Sequence, residues 1–220
     1  MKRSRTVFET RSALSGRIRV VDYRRERRLL VSGDVLSVYP LDGDWARLRR
    51  EYWGRALDAA PLPARPSVLL VGLGGGTQLH LLQRRARPRA VTVIERDPAI
   101  LRAALDWFGL REVGGVEYLV GGADRVVPWL ARARRHFDFV MEDAVYAEPP
   151  ARAEALARAL VPLVAPRGTL VINRHRRAGV GGLAGALRPL FARVGFRRVR
   201  PIAENVLVCC ARPRCSSARN

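Results

Sequence analysis

Four closely spaced glycines follow an apolar run of strand length at residues 68–71. They are Gly72, Gly74, Gly75 and Gly76. Glycine has no Cβ and tolerates positive φ, so it suits a place where the backbone turns sharply and approaches a ligand closely. A second apolar run, residues 90–94, leads to Glu95, where an acid would bind the hydroxyls of a ribose. Together these features predict a nucleoside pocket at the carboxyl edge of a parallel sheet.

A second group of acids lies at and beyond the end of the predicted strand 137–142. These acids are Glu142, Asp143 and Glu148. A carboxylate in a pocket can bind a cationic group and accept a proton from it. Successive residues of a strand point to opposite faces, and Glu142 still belongs to the strand. We therefore expect Asp143 to enter the pocket; the alternative is that it caps a helix or lies in a loop.

Cysteines and histidines are few; the cysteines lie near the C-terminus and the histidines are dispersed. They are Cys209, Cys210, Cys215, His80, His136 and His175. The odd number of cysteines and the lack of Cys-x-x-Cys spacing predict no metal site and no disulfide framework. Asp97 followed by Pro98 is typical of a helix N-cap with proline at the first helical position.

The composition fits one domain of ordinary size, because 220 residues can bury a sizeable core. The net charge is +20, and Lys2 is the only lysine among the basic residues. Arginines could bind a polyanion, or they could be scattered over solvated faces; we favour the second reading and still expect non-specific polyanion binding. No apolar run approaches the length of a membrane span, and the basic, polar N-terminus does not resemble a secretory signal. We expect a cytoplasmic protein that does not enter a membrane.

Strand-like and helix-like runs alternate from residue 67 onward. The predicted strands are 67–71, 90–94, 116–120, 137–142, 169–173, 198–200 and 205–210, and the predicted helices are 77–87, 98–108, 123–134, 150–164 and 181–194. Such alternation indicates βαβ units. The sequence therefore predicts an α/β fold with a Rossmann-like, doubly wound, mostly parallel sheet.

A small unit precedes this alternation. Short apolar runs within residues 17–39 predict an antiparallel β-hairpin unit, and Asp42 and Asp44 would begin a helix over residues 45–59. The proline-rich segment 61–66 reads as a boundary. The predicted organisation is an N-terminal unit, a catalytic domain and a basic tail, at residues 1–62, 63–212 and 213–220.

The glycine spacing separates classes of nucleotide-binding loop. A dinucleotide fingerprint would need glycine where Thr77 stands, and no Gly-Lys-Ser/Thr follows as a P-loop requires. The G-x-G-x-G spacing of Gly72, Gly74 and Gly76 instead resembles the first motif of class I S-adenosylmethionine-dependent transferases. A plain tight turn between a strand and a helix is the structural alternative.

Over residues 15–175 the sequence resembles the spermidine synthase (polyamine aminopropyltransferase) family. No single segment is specific, and the resemblance depends on the order and spacing of five segments. These segments are residues 27–39, 68–76, 91–97, 119–123 and 137–143. The resemblance implies a fold of the class I methyltransferase type and a homodimer.

The resemblance also implies roles for individual residues. The donor-binding residues would be Gly72, Gly74, Gly75, Gly76, Glu95, Gly122 and Ala123. The acceptor side would be lined by Tyr52, Tyr146 and Glu148. Asp143 would orient and deprotonate the attacking amine. Asp124 could replace the aspartate that the family has at position 122.

The sequence departs from the family on the side that binds the amine. Gly75 stands where the family has the aspartate that grips the aminopropyl ammonium. Tyr146 replaces a second aspartate, and the expected hairpin glutamine is Leu36 or Ser37. The residues expected to bind the nucleoside are thus present, while several residues that would bind the polyamine are replaced.

These features predict an enzyme that uses a nucleoside donor and an amine or other acceptor, without a metal. The first interpretation is aminopropyl transfer from decarboxylated S-adenosylmethionine to an amine, as in polyamine biosynthesis. The first alternative is a methyltransferase that uses S-adenosylmethionine itself. The second is a catalytically idle relative that binds nucleic acid or a protein.

Overall fold

The N-terminal part of the chain forms an antiparallel sheet. The computed structural model describes residues 4–59, 62–144, 149–175, 179–199 and 205–214. Within these residues, four strands pair in the order β1-β2-β3-β4, and they span Arg5–Ser12, Gly16–Asp22, Glu26–Val31 and Asp34–Pro40. The predicted hairpin unit is therefore larger than expected. Strand β1 gave no clear signal because none of its residues is buried.

The segment that follows is not the single helix predicted over residues 45–59. It contains a 3₁₀ turn at Leu48–Arg50 and a short helix α1 at Tyr52–Leu57. The predicted N-cap acids instead form tight turns, because the carboxylate of Asp42 accepts the N–H of Asp44 over 3.1 Å. The chain can then fold back on itself, and α1 packs directly on the 3₁₀ turn.

The rest of the described chain alternates between strands and helices and confirms the predicted α/β fold. In chain order the elements are β5 Ser67–Val71, α2 Thr77–Arg85, β6 Ala90–Glu95, α3 Pro98–Trp107, β7 Val116–Val120, α4 Ala123–Arg132, β8 Phe137–Glu142, α5 Pro150–Leu160, β9 Val164–His175, α6 Val180–Leu187, β10 Phe191–Val199 and β11 Asn205–Pro213. Seven strands pair in the order β10-β11-β9-β8-β5-β6-β7. Strands β5 to β9 run parallel, and β10 and β11 are antiparallel additions.

Strand β5 lies at the centre of this sheet and is buried on both faces. Val68 and Leu70 belong to one apolar cluster, while Leu69 and Val71 belong to the cluster on the other face. Its neighbours are β6 on one side and β8 on the other. The strand order therefore reverses beside β5, and ligands bind at such a switch point.

The last predicted helix was too long. The prediction covered residues 181–194, but α6 ends at Leu187 and β10 begins at Phe191. Pro189 lies between them and cannot continue a helix, because it lacks an N–H and clashes with the preceding turn. Similarly, α5 ends at Leu160 and a 3₁₀ turn at Val161–Leu163 follows.

The domain division and the membrane prediction complete the description. The division into residues 1–62, 63–212 and 213–220 stays a prediction, and most of the predicted tail lies outside the described residues. Across the part of the chain that is described, no helix is long and apolar enough to span a membrane.

The packing of α1 generates a stability prediction. A methyl group added at Gly54 would lie 2.5 Å from the Cα of Arg49. Gly54→Ala should therefore lower the free energy of unfolding by about 1–3 kcal/mol through overpacking. Gly185→Ala is the matched control in α6, where an added Cβ meets no atom within 4 Å. The control should raise the free energy of unfolding by about 0.5–1 kcal/mol. Urea unfolding measures both, and a harmless Gly54→Ala would contradict the described packing.

Candidate active site

A cavity of about 680 Å³ opens at the carboxyl ends of the parallel strands, below the N-terminal sheet. Among the predicted site residues, its wall contains Tyr52, Gly72, Gly74, Gly76, Glu95, Ala123 and Asp143. The structure thus brings together residues from five separate segments of the sequence. The volume of the cavity lies in the usual range for small-molecule sites.

Gly72 brings the glycine loop against the end of strand β8. Its N–H donates to the carbonyl of Ile94 over 2.8 Å, and the N–H of Asp143 donates to the carbonyl of Val71 over 2.9 Å. Gly72 has a φ of 93°, and a Cβ there would lie 2.9 Å from the carbonyl oxygen of Asp143. Both the conformation and the available space therefore require glycine.

Gly75 faces the protein interior and not the cavity. Its N–H donates to Oγ of Ser37 over 2.7 Å. A Cβ at this position would lie 2.9 Å from both Cβ of Ser37 and Cδ1 of Phe108. Position 75 thus has no room for a larger side chain. The cofactor contact predicted for Gly75 is not among those that the cavity wall provides.

The N-terminal sheet is fastened to the start of helix α2 by a threonine. The hydroxyl of Thr77 donates to the carbonyl of Val38 over 2.8 Å and accepts the N–H of Val38 over 3.0 Å. These buried contacts lie beside the Ser37–Gly75 hydrogen bond. Strand β4 therefore forms part of the cavity wall and fixes the glycine loop from above.

Glu95 presents a fixed carboxylate to the cavity. The N–H of Leu73 donates to its Oε2 over 3.1 Å, and the N–H of Asp97 donates to its Oε1 over 3.0 Å. The side chain is buried, and this burial raises the pKa of Glu95 although the two N–H groups lower it. A carboxylate has about four acceptor positions. Both oxygens therefore keep capacity to accept hydrogen bonds from ribose hydroxyls.

Asp143 lies across the glycine loop from Glu95 and is held by two side chains. The hydroxyl of Tyr52 donates to its Oδ2 over 2.9 Å, and Nδ2 of Asn173 donates to its Oδ1 over 2.7 Å. Asn205 in turn donates to Oδ1 of Asn173 over 2.9 Å. This contact turns the Asn173 amide so that a donor, and not an acceptor, meets Asp143.

The surroundings of Asp143 suit a group that takes up a proton near neutral pH. Burial raises the pKa of Asp143 to about 6, although the hydrogen bonds from Asn173 and Tyr52 lower it. At pH 7 the group is therefore mostly a carboxylate whose proton affinity is much greater than that of an ordinary aspartate. Such a pKa is typical of a general base.

The neighbouring acid Glu142 points away from the cavity. It is fully buried, forms an ion pair with Arg174, and accepts the N–H of Ala144 over 3.0 Å. Of the two adjacent acids, the structure thus places Asp143 at the cavity and Glu142 in the sheet. Asp97 caps helix α3, as its position before Pro98 predicted, by accepting the N–H of Ala99 over 2.9 Å.

Of the two residues predicted to border adenine, the cavity wall contains Ala123 but not Gly122. The cavity wall contains Gly121 and Ala123, while Gly122 is the N-cap of α4. The carboxylate of Asp124 lies directly beside Gly122 and is exposed, so it does not replace an adenine-binding aspartate inside the cavity. Tyr146 and Glu148 lie outside the described residues.

Sequence reasoning missed several residues of the wall. They are Gln78, Asn173, His175 and Asn205. Asn173 had a signal, because it follows the apolar run at residues 170–172 where a parallel strand ends. Asn205 is contributed by an antiparallel strand, and no local pattern marked it. Among the described residues, there is no group of three or more His, Cys, Asp or Glu side chains suited to a metal.

Sequence comparison relates the chain to methyltransferases. The eEF1A lysine and N-terminal methyltransferase of zebrafish (Danio rerio) is 30% identical over 156 residues, which are 66% of this chain and 23% of that protein. The human (Homo sapiens) protein of the same name is 25% identical over 162 residues, covering 67% of this chain and 23% of that protein. The chain therefore spans about a quarter of the length of these relatives. No family model matches it.

Structural comparison establishes the fold. Spermidine synthase from Thermotoga maritima superposes with a TM-score of 0.70 at 12% identity, covering 94% of this chain and 73% of that chain. Human methyltransferase-like protein 13 in complex with SAH gives a TM-score of 0.57 at 23% identity, covering 76% of this chain and 78% of that chain. The chain has a class I methyltransferase fold. The prediction of a transferase agrees with the names of the methyltransferases.

The partly buried carboxylate of Asp143 generates a prediction about stability. Its pKa is raised from 3.8 to about 6, so the folded state disfavours the charged form. Asp143→Asn should raise the free energy of unfolding at pH 8 by about 1–3 kcal/mol. This gain should shrink as the pH falls from 6 to 4, because the folded wild type then binds a proton. Urea unfolding of the wild type and the variant at pH 8 and at pH 4 measures this gain.

Glu142→Gln is the matched control for this prediction. It breaks the buried ion pair with Arg174 and should destabilise the protein at pH 8. A less stable Asp143→Asn protein at pH 8 would show that hydrogen bonds outweigh the burial of the charge.

Proposed function

We propose that this chain transfers the methyl group of S-adenosylmethionine to a primary amine. The observation that carries this proposal is the position of Asp143, which shares one cavity wall with the glycine loop and Glu95. A donor bound through its ribose would then lie beside a group able to bind an amine and accept its proton.

The residues of the cavity fit such a donor. Glu95 can accept hydrogen bonds from the ribose hydroxyls. Gly72, Gly74 and Gly76 offer backbone contacts without side chains, and Gly121 and Ala123 are small residues in the same wall. When bound, the donor supplies a methyl group on a positively charged sulfur. The chain's own task is to hold donor and acceptor in line, since proximity and orientation supply much of the rate enhancement in such a displacement.

The space around Gly75 favours methyl transfer over aminopropyl transfer. Aminopropyl transfer in the resembling family uses an aspartate at this position. Here Ser37 and Phe108 fill the space that such a side chain would need. The relatives by sequence are named as methyltransferases, while spermidine synthase is similar in fold alone. The first interpretation of the sequence is therefore less well supported than its methyltransferase alternative.

The acceptor amine would arrive as an ammonium ion and bind the carboxylate of Asp143. Asp143 then takes one proton from nitrogen, and the freed lone pair attacks the methyl carbon while the bond from carbon to sulfur breaks. Tyr52 and Asn173 keep both carboxylate oxygens in place during this step. A pKa of about 6 makes Asp143 a stronger base than an ordinary aspartate.

We further propose that the amine belongs to a peptide or protein. Two exposed apolar side chains lie at the cavity wall: Leu14 in the turn between β1 and β2, and Val35 near the start of β4. A peptide would bury them, and a free polyamine would not. Lysine and N-terminal amines also occur in the names of the relatives. The homodimer, the cytoplasmic location and non-specific polyanion binding stay predictions.

The ribose role of Glu95 can be tested directly. Glu95→Gln should weaken binding of S-adenosylmethionine by about ten-fold or more, because a charge-assisted hydrogen bond is lost. Glu117→Gln is the matched control. Glu117 lies on β7, accepts hydrogen bonds from Arg135 and Thr92, and is not part of the cavity wall. Calorimetry with intact and decarboxylated donor should give tighter binding of the intact one. Equal affinity of both Gln variants and the wild type would remove Glu95 from this role.

The role of Asp143 as base predicts a pH profile. With a peptide that carries one lysine and a free N-terminus, kcat/KM should fall as the pH drops below about 6, because Asp143 becomes protonated. Asp143→Asn should suppress turnover strongly while donor binding persists. Full activity of this variant would exclude the role. Donor binding without turnover in the wild type, together with salt-dependent RNA or DNA binding, would favour the idle alternative.

A further inference from the structure

Among the described residues, one buried side-chain nitrogen in the cavity wall has no hydrogen-bond partner. Gln78 lies in the first turn of α2, lines the cavity and is 8% exposed. Within the described part of the chain, its Nε2 has no hydrogen-bond partner. Buried amide groups in folded proteins are nearly always hydrogen-bonded. An unpaired amide at a cavity wall therefore indicates a ligand that supplies an acceptor.

The backbone around Gln78 also favours an acceptor with negative charge. Helix α2 spans Thr77–Arg85 and begins at Gly76, which offers no side chain to cap it. The N–H groups of a first helical turn lack partners within the helix, and the helix dipole places partial positive charge there. An amide donor and an uncapped helix start thus lie together where the glycine loop ends.

We propose that Gln78 and the first turn of α2 bind the α-carboxylate of the methionine part of the donor. This inference rests on the proposed function, because it assumes that the ribose is held at Glu95 and that the methionine part runs along the glycine loop. The carboxylate would accept a hydrogen bond from Nε2 of Gln78 and would lie at the positive end of the helix dipole.

The same arrangement distinguishes S-adenosylmethionine from its decarboxylated form, between which the sequence did not decide. Decarboxylated S-adenosylmethionine lacks this carboxylate and presents only an ammonium group on the same arm. Gln78 keeps an acceptor oxygen but carries no charge for that ammonium, and Ser37 and Phe108 leave no space for an acid at Gly75. Gln78 is therefore a specificity-determining residue that selects the intact donor.

Calorimetry with two product-like ligands tests the inference on the full chain. S-adenosylhomocysteine carries the carboxylate, and 5′-methylthioadenosine lacks the whole amino-acid part. Gln78→Ala should weaken binding of S-adenosylhomocysteine by about ten-fold or more, because a hydrogen bond to a charged group is lost. Binding of 5′-methylthioadenosine should stay unchanged, which also shows that the variant is folded.

Gln78→Glu gives the opposite charge at nearly the same size. It should weaken S-adenosylhomocysteine more than Gln78→Ala does and strengthen binding of decarboxylated S-adenosylhomocysteine. If wild type and both variants bind S-adenosylhomocysteine equally, the inference is overturned while the proposed function stands. If the wild type binds neither nucleoside, the proposed function fails as well.

Discussion

The docking of strand β4 onto the glycine loop is the constraint on which the site depends. Ser37 binds the N–H of Gly75, and Thr77 holds both backbone groups of Val38. These buried hydrogen bonds join the N-terminal sheet to the central sheet at the switch point. They make the N-terminal sheet a wall of the cavity, set the start of α2 with Gln78, and fill the space behind Gly75. A crevice at a sheet edge thereby gains a second wall.

Two acids at the ends of the strands on either side of β5 differ in what holds them. Backbone N–H groups bind Glu95, so its carboxylate is fixed in direction and suited to ribose hydroxyls. Side chains bind Asp143, and burial raises its pKa to about 6. Similar residues thus suit binding in one place and proton transfer in the other, because their partners differ.

The sequence predicted those site residues that a local sequence pattern marks. Gly72, Glu95 and Asp143 each follow an apolar run, and parallel strands bring such ends to one edge. The role of Gly75 could not be read this way, because Phe108 and Ser37, which surround it, come from distant segments. Gln78, Asn173 and Asn205 depend in the same way on tertiary contacts. The long helix predicted to residue 194 failed at Pro189, where the apolar pattern continued but the backbone could not.

The proposed reaction directs a methyl group, and not an aminopropyl group, to an amine. Mass spectrometry tests it most directly, with a lysine-containing peptide incubated with equal amounts of S-adenosylmethionine and its decarboxylated form. We expect a peptide heavier by methyl groups and release of S-adenosylhomocysteine. A peptide heavier by an aminopropyl group, with release of 5′-methylthioadenosine, would contradict it.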